Sequence, residues 1–438
     1  MTTLAPFGRV TPRHVVESAT LAGTPHYLYD EALVVERCRQ VLAMPNAFGL
    51  HAGYAMKANS TRAILEVVGG EGMGIDASSL NEARRARRAG IAADRIMLTT
   101  QEVPEGQDRR DLEALMLDGL RYNACSLRQL ELVAPFARAK KLAIAVRVNP
   151  GVGSGESVTR NTGDKYSSFG VHQGDLERLT SAAREGGVTI GAVHVHIGSG
   201  GDPAAWAENV DRMLAIVERW FPEATTLNLG GGFKEARMPD EQPADVAALG
   251  AHAKARFEAF AGRTGRRLRM AVEPGTFVVA NAGYLVTRVV DRKSSGPDGF
   301  DFVIADGGME ANTRPLLYGS RHPFSVVSRD GALRSTEWDL SGPGVAPRVV
   351  AGRCCESGDS QSLDEHGYVV PRRMADPAVG DLLVVGGAGA YCASMSPFNY
   401  NSHVQAPEVL LCADGTLRVV RRGQTLEQLT ANELGRRG

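Results

Sequence analysis

Residues 120–148 read LRYNACSLRQLELVAPFARAKKLAIAVRV, a short β-type run, a helical run and a second, apolar β-type run. This order is typical of parallel strands joined by crossover helices. The same alternation extends outward in both directions, from about residue 54 to residue 275. It contains eight β-type runs, which are GYAMKA (53–58), MGIDAS (73–78), RIMLTT (95–100), LRYNAC (120–125), LAIAVRV (142–148), IGAVHVHI (190–197), TLNLG (226–230) and LRMAVE (268–273).

Eight strand and helix units in series favour a closed parallel barrel over an open doubly wound sheet, which usually has about five or six strands. The predicted fold class is therefore α/β, with a (β/α)8 TIM-like barrel formed by residues 31–279. Ser79, followed three residues later by Glu82, fits a capping box and marks one helix start. The active site of such a barrel lies at the carboxyl ends of its strands.

The alternation of β-type and helical runs ends at about residue 280. The runs FDFVIADGG (300–308) and GDLLVVGGAG (380–389) are typical of strands, and Asp414-Gly415 is a hairpin signal between two further β-type runs. We expect residues 1–30 and 280–438 to form a second, mainly antiparallel β domain that completes the active site.

Composition points to small-molecule partners. The chain has 438 residues, is 43% hydrophobic and carries a formal charge of -1, which gives no electrostatic reason to expect nucleic acid or an anionic membrane as partner. The six cysteines show neither a paired framework nor metal-ligand spacing, so no metal and reduced thiols are expected. The first residues lack the apolar core of a signal peptide, and no run is long enough to span a bilayer. A cytoplasmic location follows as an expectation.

Lys57 lies at the end of the first β-type run, in YAMKANS, among small and apolar residues. A desolvated amine there would lose its proton readily and could form a Schiff base with an aldehyde cofactor. A solvated lysine at a strand end is the alternative. Asp76 ends the next run in the same way.

Two further motifs follow strand-like runs. LNLGGGF places Gly230, Gly231 and Gly232 where bare backbone amides could cradle a phosphate, although a tight turn without a ligand explains them equally well. VHVHIGSG places His194 and His196 on one face of a predicted strand, and Ser199 just beyond it. A core histidine bonded to backbone is the main alternative to a functional one.

Glu273 ends the last run, where a carboxylate could bond a protonated heterocyclic nitrogen. An acid merely capped by Pro274 is the alternative.

The β domain adds polar motifs. Cys355 could donate a proton, Glu356 could bind an ammonium group and Tyr391 could bond a phosphate or substrate group. Arg314 suits a planar carboxylate, and Tyr318 lies four residues further along the chain.

Taken together, these motifs resemble those of the alanine racemase-like pyridoxal phosphate-dependent decarboxylases, and most of all the branch that acts on diaminopimelate. The ordered set covers nearly the whole chain and consists of YAMKANS, HVHIGSG, NLGGGF, VEPG, DGGMEANTRPLLYG, CCESGD, GAYCASMSPFNYNS and RRGQTLEQL. NPGVGSGESVTRNTG also resembles a loop of one bacterial branch.

The resemblance implies a role for each singled-out residue. The cofactor would be pyridoxal 5'-phosphate, bound covalently to Lys57, stacked on His196 and facing Glu273 through its pyridine nitrogen, with Asp76 close by. Ser199 and the three glycines would hold its phosphate. Arg314 and Tyr318 would bind the distal carboxylate of the substrate and Glu356 its distal ammonium, with Tyr391 bordering both cofactor and substrate. Cys355 would reach into the site of a second subunit, so the resemblance implies a homodimer.

Two departures bear on the substrate. The family commonly has an arginine after E-P-G that helps to bind the distal carboxylate, and this chain has Thr276. Many members have a lysine before F-G, and this chain has Ser168. Decarboxylation of meso-diaminopimelate is the expected activity. The alternatives are a decarboxylase of ornithine, lysine or arginine, an amino-acid racemase, and a non-catalytic cofactor-binding protein.

Overall fold

The computed structural model describes residues 2–154, 162–198 and 202–436. Its strands, in chain order, are β1 (His26–Asp30), β2 (Leu50–Ala55), β3 (Gly74–Ala77), β4 (Ile96–Thr99), β5 (Arg121–Ala124), β6 (Ile144–Asn149), β7 (Val171–His172), β8 (Ile190–His194), β9 (Thr226–Asn228), β10 (Arg269–Val272), β11 (Gly283–Ser294), β12 (Asp301–Ala305), β13 (Phe324–Val327), β14 (Leu333–Ser335), β15 (Ala346–Ala351), β16 (Arg372–Met374), β17 (Leu382–Val385), β18 (Glu408–Leu411) and β19 (Leu417–Arg421).

The helices alternate with the strands in the first two thirds of the chain. They are α1 (Pro12–Ala22), α2 (Glu31–Leu42), α3 (Arg62–Gly70), α4 (Leu80–Arg88), α5 (Gly106–Leu117), α6 (Leu127–Lys140), α7 (Leu176–Gly186), α8 (Pro203–Trp220), α9 (Val246–Thr264), α10 (Thr276–Val279), α11 (Arg314–Tyr318) and α12 (Leu426–Thr430). Among the described residues, no helix combines the length and the hydropathy that crossing a bilayer requires.

The chain divides into two compact units. One comprises residues 35–235 and 242–278, and the other comprises residues 1–34, 236–241 and 279–438.

The first unit is a closed barrel of parallel strands. Its order is β5-β4-β3-β2-β10-β9-β8-β6, and β5 also pairs with β6, which closes the ring; β7 adds at the edge of β6. Each of the eight predicted runs overlaps one of the eight barrel strands, so the predicted (β/α)8 barrel is confirmed. Apolar residues of these strands, such as Ile75, Leu98 and Val146, are fully buried, as expected for strands covered on both faces.

The predicted helix start at Ser79 is correct, but the capping box is only half right. The Ser79 hydroxyl accepts a hydrogen bond from the Glu82 backbone N–H at 3.1 Å. The Glu82 carboxylate accepts a hydrogen bond from the N–H of Ser78 rather than from that of Ser79. The difference is a shift of one residue in the backbone donor, at the corner between strand and helix.

The second unit is built on a mainly antiparallel sheet, as predicted. Its path is β14-β13-β17-β11-β1-β18-β19, and β12, β15 and β16 branch from β11. Residues such as Leu28, Val286, Val384 and Val409 form its core. The predicted Asp414-Gly415 hairpin joins β18 to β19, with the Cys412 N–H donating to the Thr416 carbonyl at 2.8 Å.

Candidate active site

Polar side chains lie in close contact with one another at the carboxyl ends of the barrel strands. Glu273, directly after β10, accepts a hydrogen bond on Oε1 from Asn228 of β9 at 2.6 Å. Its Oε2 lies 3.0 Å from Nε2 of His194, the last residue of β8, a close polar contact that lacks the alignment of a hydrogen bond. Nδ1 of His194 is 2.9 Å from the amide nitrogen of Asn123 on β5. All four side chains are buried, so these contacts are made away from bulk water.

The environment of Glu273 decides its charge. Burial alone would raise the pKa of its carboxyl group, but His194, the hydrogen bond from Asn228 and the charge of Lys57 outweigh burial and lower the pKa to about 2. Burial lowers the pKa of His194. Glu273 is therefore a buried carboxylate next to a neutral imidazole, suited to bind a cationic ring nitrogen.

Asp76, at the end of β3, behaves in the opposite way. Burial and the negative charge of Glu273 raise the pKa of its carboxyl group well above the usual range, although Lys57 and a hydrogen bond to Thr99 oppose this shift. Among the described residues, its Oδ1 has no hydrogen-bond partner. Two buried acids with opposite pKa shifts are typical of a site with divided proton roles. An unsatisfied buried oxygen fits a ligand with a hydrogen-bond donor.

The position of Lys57 differs from the predicted one. It lies in a 3-10 turn directly after β2, where Met56 and Ala58 are buried but Lys57 is exposed. The prediction that burial shields this amine is wrong for the single chain, because the turn directs its neighbours inward and leaves Lys57 at the barrel mouth. Its charge nevertheless acts on Asp76 and Glu273, so Lys57 lies within electrostatic range of both acids.

The glycine run is tightly packed against neighbouring backbone. A Cβ on Gly231 would lie 2.4 Å from the carbonyl oxygen of Glu273, and one on Gly230 would lie 2.4 Å from that of Val195. Only glycine fits these positions. The N–H of Gly230 donates to Asn228 at 2.9 Å and that of Gly231 to His196 at 3.3 Å, so a phosphate-binding role of the run stays a prediction. Ser199, predicted to share this role, lies outside the described residues.

His196 lies beyond β8, which ends at His194, so the prediction that both histidines lie on the strand is wrong. The Nδ1 atom of His196 is 3.3 Å from the backbone nitrogen of Gly231 and accepts its hydrogen bond. Burial and the charge of Lys57 lower the pKa of His196 well below its usual value. A neutral imidazole beside the glycine run is suited to stack on a ring.

In the second unit, Arg314 begins α11 and is almost fully buried. Its Nη2 donates to the Ser320 hydroxyl at 3.2 Å. The guanidinium carbon lies 5.9 Å from the centre of the Tyr318 ring and 6.0 Å from that of the Tyr391 ring. Tyr391 has a φ of +60°, a strained backbone conformation that clusters at functional sites. The structure thus brings together three of the predicted substrate-binding residues.

Cys355 and Glu356 lie on an exposed loop of the same unit. The Asn401 side chain accepts a hydrogen bond from the Cys355 N–H at 2.7 Å, and the Tyr400 hydroxyl donates to Glu356 at 3.0 Å. The hydrogen bond from Tyr400 lowers the pKa of Glu356. Glu356 is therefore an exposed carboxylate that can attract an ammonium group.

Asp359, which no sequence motif singled out, anchors this loop. Its two carboxylate oxygens accept hydrogen bonds from the N–H groups of Met309 and Cys354, each at 2.7 Å. Glu310 lies beside them and accepts from the Cys354 thiol at 3.3 Å. Glu310, Cys354 and Asp359 lie close enough to hold a metal ion, but their hydrogen bonds give them a structural role in joining two loops.

Comparison with known proteins agrees with this geometry. Residues 32–280 match the family model described as pyridoxal-dependent decarboxylase, pyridoxal binding domain. The chain is 33% identical to diaminopimelate decarboxylase of Escherichia coli K12 over 94% of both proteins. It is 32% identical to the Streptomyces coelicolor diaminopimelate decarboxylase over 98% of this chain and 93% of that protein. The chain therefore belongs to the pyridoxal-dependent decarboxylase family.

Solved structures give the same result. A crystal structure of diaminopimelate decarboxylase superposes with a TM-score of 0.87 at 30% identity, covering 98% of this chain and 99% of that one. The Helicobacter pylori diaminopimelate decarboxylase complexed with L-lysine gives a TM-score of 0.80 at 25% identity, over 95% and 98% of the two chains. The similarity extends over both compact units.

Gly231→Ala tests the glycine cradle. We expect this variant to bind pyridoxal phosphate at least about 10-fold more weakly than the wild type, because the added Cβ forces the glycine run and the Glu273 carbonyl apart. Titration of cofactor-free protein, followed by absorbance, measures the affinity. The matched control is Gly262→Ala in α9, where a Cβ meets nothing within 4 Å and should leave affinity unchanged. Equal affinities for the wild type and both variants would show that the cradle lies elsewhere.

Proposed function

We propose that this chain decarboxylates meso-2,6-diaminopimelate to L-lysine and carbon dioxide, with pyridoxal 5'-phosphate as cofactor. One observation above all supports this choice of cofactor. The buried carboxylate of Glu273 is held ionised beside a glycine cradle and within electrostatic range of Lys57. The near full-length similarity to diaminopimelate decarboxylases supports the substrate.

The barrel residues fit each part of the cofactor. Lys57 would hold its aldehyde carbon, the glycines Gly230, Gly231 and Gly232 together with Ser199 its phosphate, and Glu273 its ring nitrogen. His196 would cover one face of the ring, and the unsatisfied oxygen of Asp76 would accept a hydrogen bond near Lys57. When bound, the cofactor stores the electron pair left on the substrate when carbon dioxide departs.

Residues of the second unit would recognise the far end of the substrate. Arg314, whose guanidinium carbon lies near the rings of Tyr318 and Tyr391, is suited to a carboxylate, because guanidinium and carboxylate form paired hydrogen bonds. Glu356 would bind the distal ammonium group. The thiol of Cys355 would return a proton to the carbon that lost its carboxylate. Thr276, which begins α10, leaves Arg314 as the carboxylate-binding residue that we propose.

We further propose a homodimer with shared active sites. Cys355 is exposed in the single chain, and α11, which begins with Arg314, carries Leu316 at 40% and Leu317 at 52% exposure. Exposed apolar side chains on the helix of a binding residue are suited to an interface between two copies. Six cysteines without a disulfide are consistent with the proposed cytoplasmic location.

Lys57→Ala tests covalent cofactor binding. Borohydride reduction of the wild-type protein loaded with pyridoxal phosphate should fix the cofactor on the peptide that contains Lys57, as read by mass spectrometry. The variant should show no labelled peptide and no decarboxylation. Lys254→Ala, a surface change in α9, should label like the wild type. Labelling at another lysine in the wild type would refute the assignment of Lys57.

Arg314→Met tests the substrate, and methionine keeps most of the buried side-chain volume. Loss of a charged hydrogen bond of about 1.5–3 kcal/mol should lower kcat/KM for diaminopimelate about 10- to 150-fold. Lysine and ornithine lack the second carboxylate, so any slow decarboxylation of these amino acids should not fall. Product identification by mass follows all three substrates. An equal loss on every substrate would remove Arg314 from carboxylate recognition.

Mixing two impaired variants tests the shared site. Lys57→Ala and Cys355→Ala protomers are each expected to be nearly inactive. If each site uses Lys57 of one copy and Cys355 of the other, random mixing restores about a quarter of wild-type activity, because half of the dimers then hold one intact site. Activity of the mixture, with the assembly state measured by ultracentrifugation, is the readout. A dimer without restored activity would mean that each site is complete within one copy.

A further inference from the structure

His194 and Asn123 have no role in the function proposed above, yet both contribute to the network around Glu273. We propose that they are positioning residues that hold the Glu273 carboxylate ready to accept a hydrogen bond from the protonated ring nitrogen of the cofactor. This inference rests on the proposed function, since it concerns the same cofactor site.

Asn123 fixes which nitrogen of His194 carries hydrogen. The amide nitrogen of Asn123 lies 2.9 Å from Nδ1 of His194, and an amide NH2 group can only donate. Nδ1 must then accept, so the hydrogen of a neutral imidazole resides on Nε2. That atom lies 3.0 Å from Oε2 of Glu273, so the nitrogen next to the carboxylate is the one that carries hydrogen, although the two are not aligned as a hydrogen bond before the cofactor binds. The opposite tautomer would place a lone pair against the carboxylate and repel it.

The network is rigid because its members come from strands of one closed barrel. Asn123 is on β5, His194 on β8 and Asn228 on β9, while Glu273 directly follows β10. Asn123 is held in turn by a 3.1 Å hydrogen bond to the Thr99 hydroxyl on β4. Asn228 also accepts a hydrogen bond from the N–H of Gly230 at 2.9 Å, which links the carboxylate to the glycine cradle.

Charged residues from several parts of the barrel act on His194 and Glu273. Lys57 and Arg147 disfavour a proton on His194, whereas Glu273 favours one. Asp76 is the second acid and shifts towards its protonated form. A neutral His194 with its hydrogen on Nε2 supports the negative charge of Glu273 without adding a positive charge to the barrel interior. A carboxylate offers about four acceptor positions, so those not used by Asn228 and His194 remain for a ring N–H.

The test reads the protonation of the cofactor ring directly. Wild-type protein and variants are loaded with pyridoxal phosphate that carries 15N in the ring, and the 15N chemical shift distinguishes a protonated from a neutral ring. His194→Phe removes the donor, and Asn123→Asp forces hydrogen onto Nδ1, which reverses the tautomer. His194→Gln restores a donor near the Nε2 position. His51→Gln, at the start of β2 in the same barrel, is the matched control.

We expect a protonated ring in the wild type, His194→Gln and His51→Gln, and a neutral ring in His194→Phe and Asn123→Asp. The two disruptive variants should lose about 10- to 100-fold in kcat with KM changed less than about threefold, as is common when the support of a functional group is removed. Circular dichroism checks that each variant is folded, and the rescue by glutamine keeps the test valid if phenylalanine or aspartate prevents folding.

Two outcomes distinguish failure of the proposed function from failure of the positioning proposal. If wild-type protein takes up no pyridoxal phosphate, the proposed function fails. If the wild-type ring is protonated and the rings of His194→Phe and Asn123→Asp are protonated as well, the cofactor site stands and the positioning role is wrong. A neutral ring in His194→Gln would also overturn the proposal, because the donor alone would not then be sufficient.

Discussion

The buried contact between Glu273, Asn228 and His194 is the constraint on which the rest of the site depends. An ionised carboxylate in a protein interior is very costly unless hydrogen bonds and nearby charge compensate it. The barrel supplies that compensation from two neighbouring strands, β8 and β9, and the backbone after β9 then packs directly against the Glu273 carbonyl. Closure of the barrel therefore determines both the charge of Glu273 and the course of the backbone beside it.

The second unit places its functional groups in a different way. Its sheet and core position exposed and half-buried groups on loops rather than burying a charge network in a barrel. Asp359 joins the loop of Met309 to the loop that carries Cys355 and Glu356 through two backbone hydrogen bonds. Loops tied in this way keep a defined geometry although their functional side chains face solvent.

Local patterns in the sequence predict what depends on neighbours along the chain. The eight barrel strands and the Asp414-Gly415 hairpin follow from periodicity and turn chemistry, and the ordered motifs identify the family. Contacts between distant strands could not be predicted in the same way. Asn123 and His194 are 71 residues apart and meet only because the barrel closes. The exposure of Lys57 depends on the direction of a single turn, which composition does not encode.

The separation of the residues into two compact units has an evolutionary consequence. Of the groups proposed for the cofactor, Asp76, His196 and Glu273 lie in the barrel unit, whereas Arg314, Tyr318 and Glu356 lie on loops and a short helix of the other unit. Mutations that alter the preferred amino acid can accumulate in the second set without disturbing the buried charges of the first. A fold organised in this way can diversify its substrates while its chemistry stays constant.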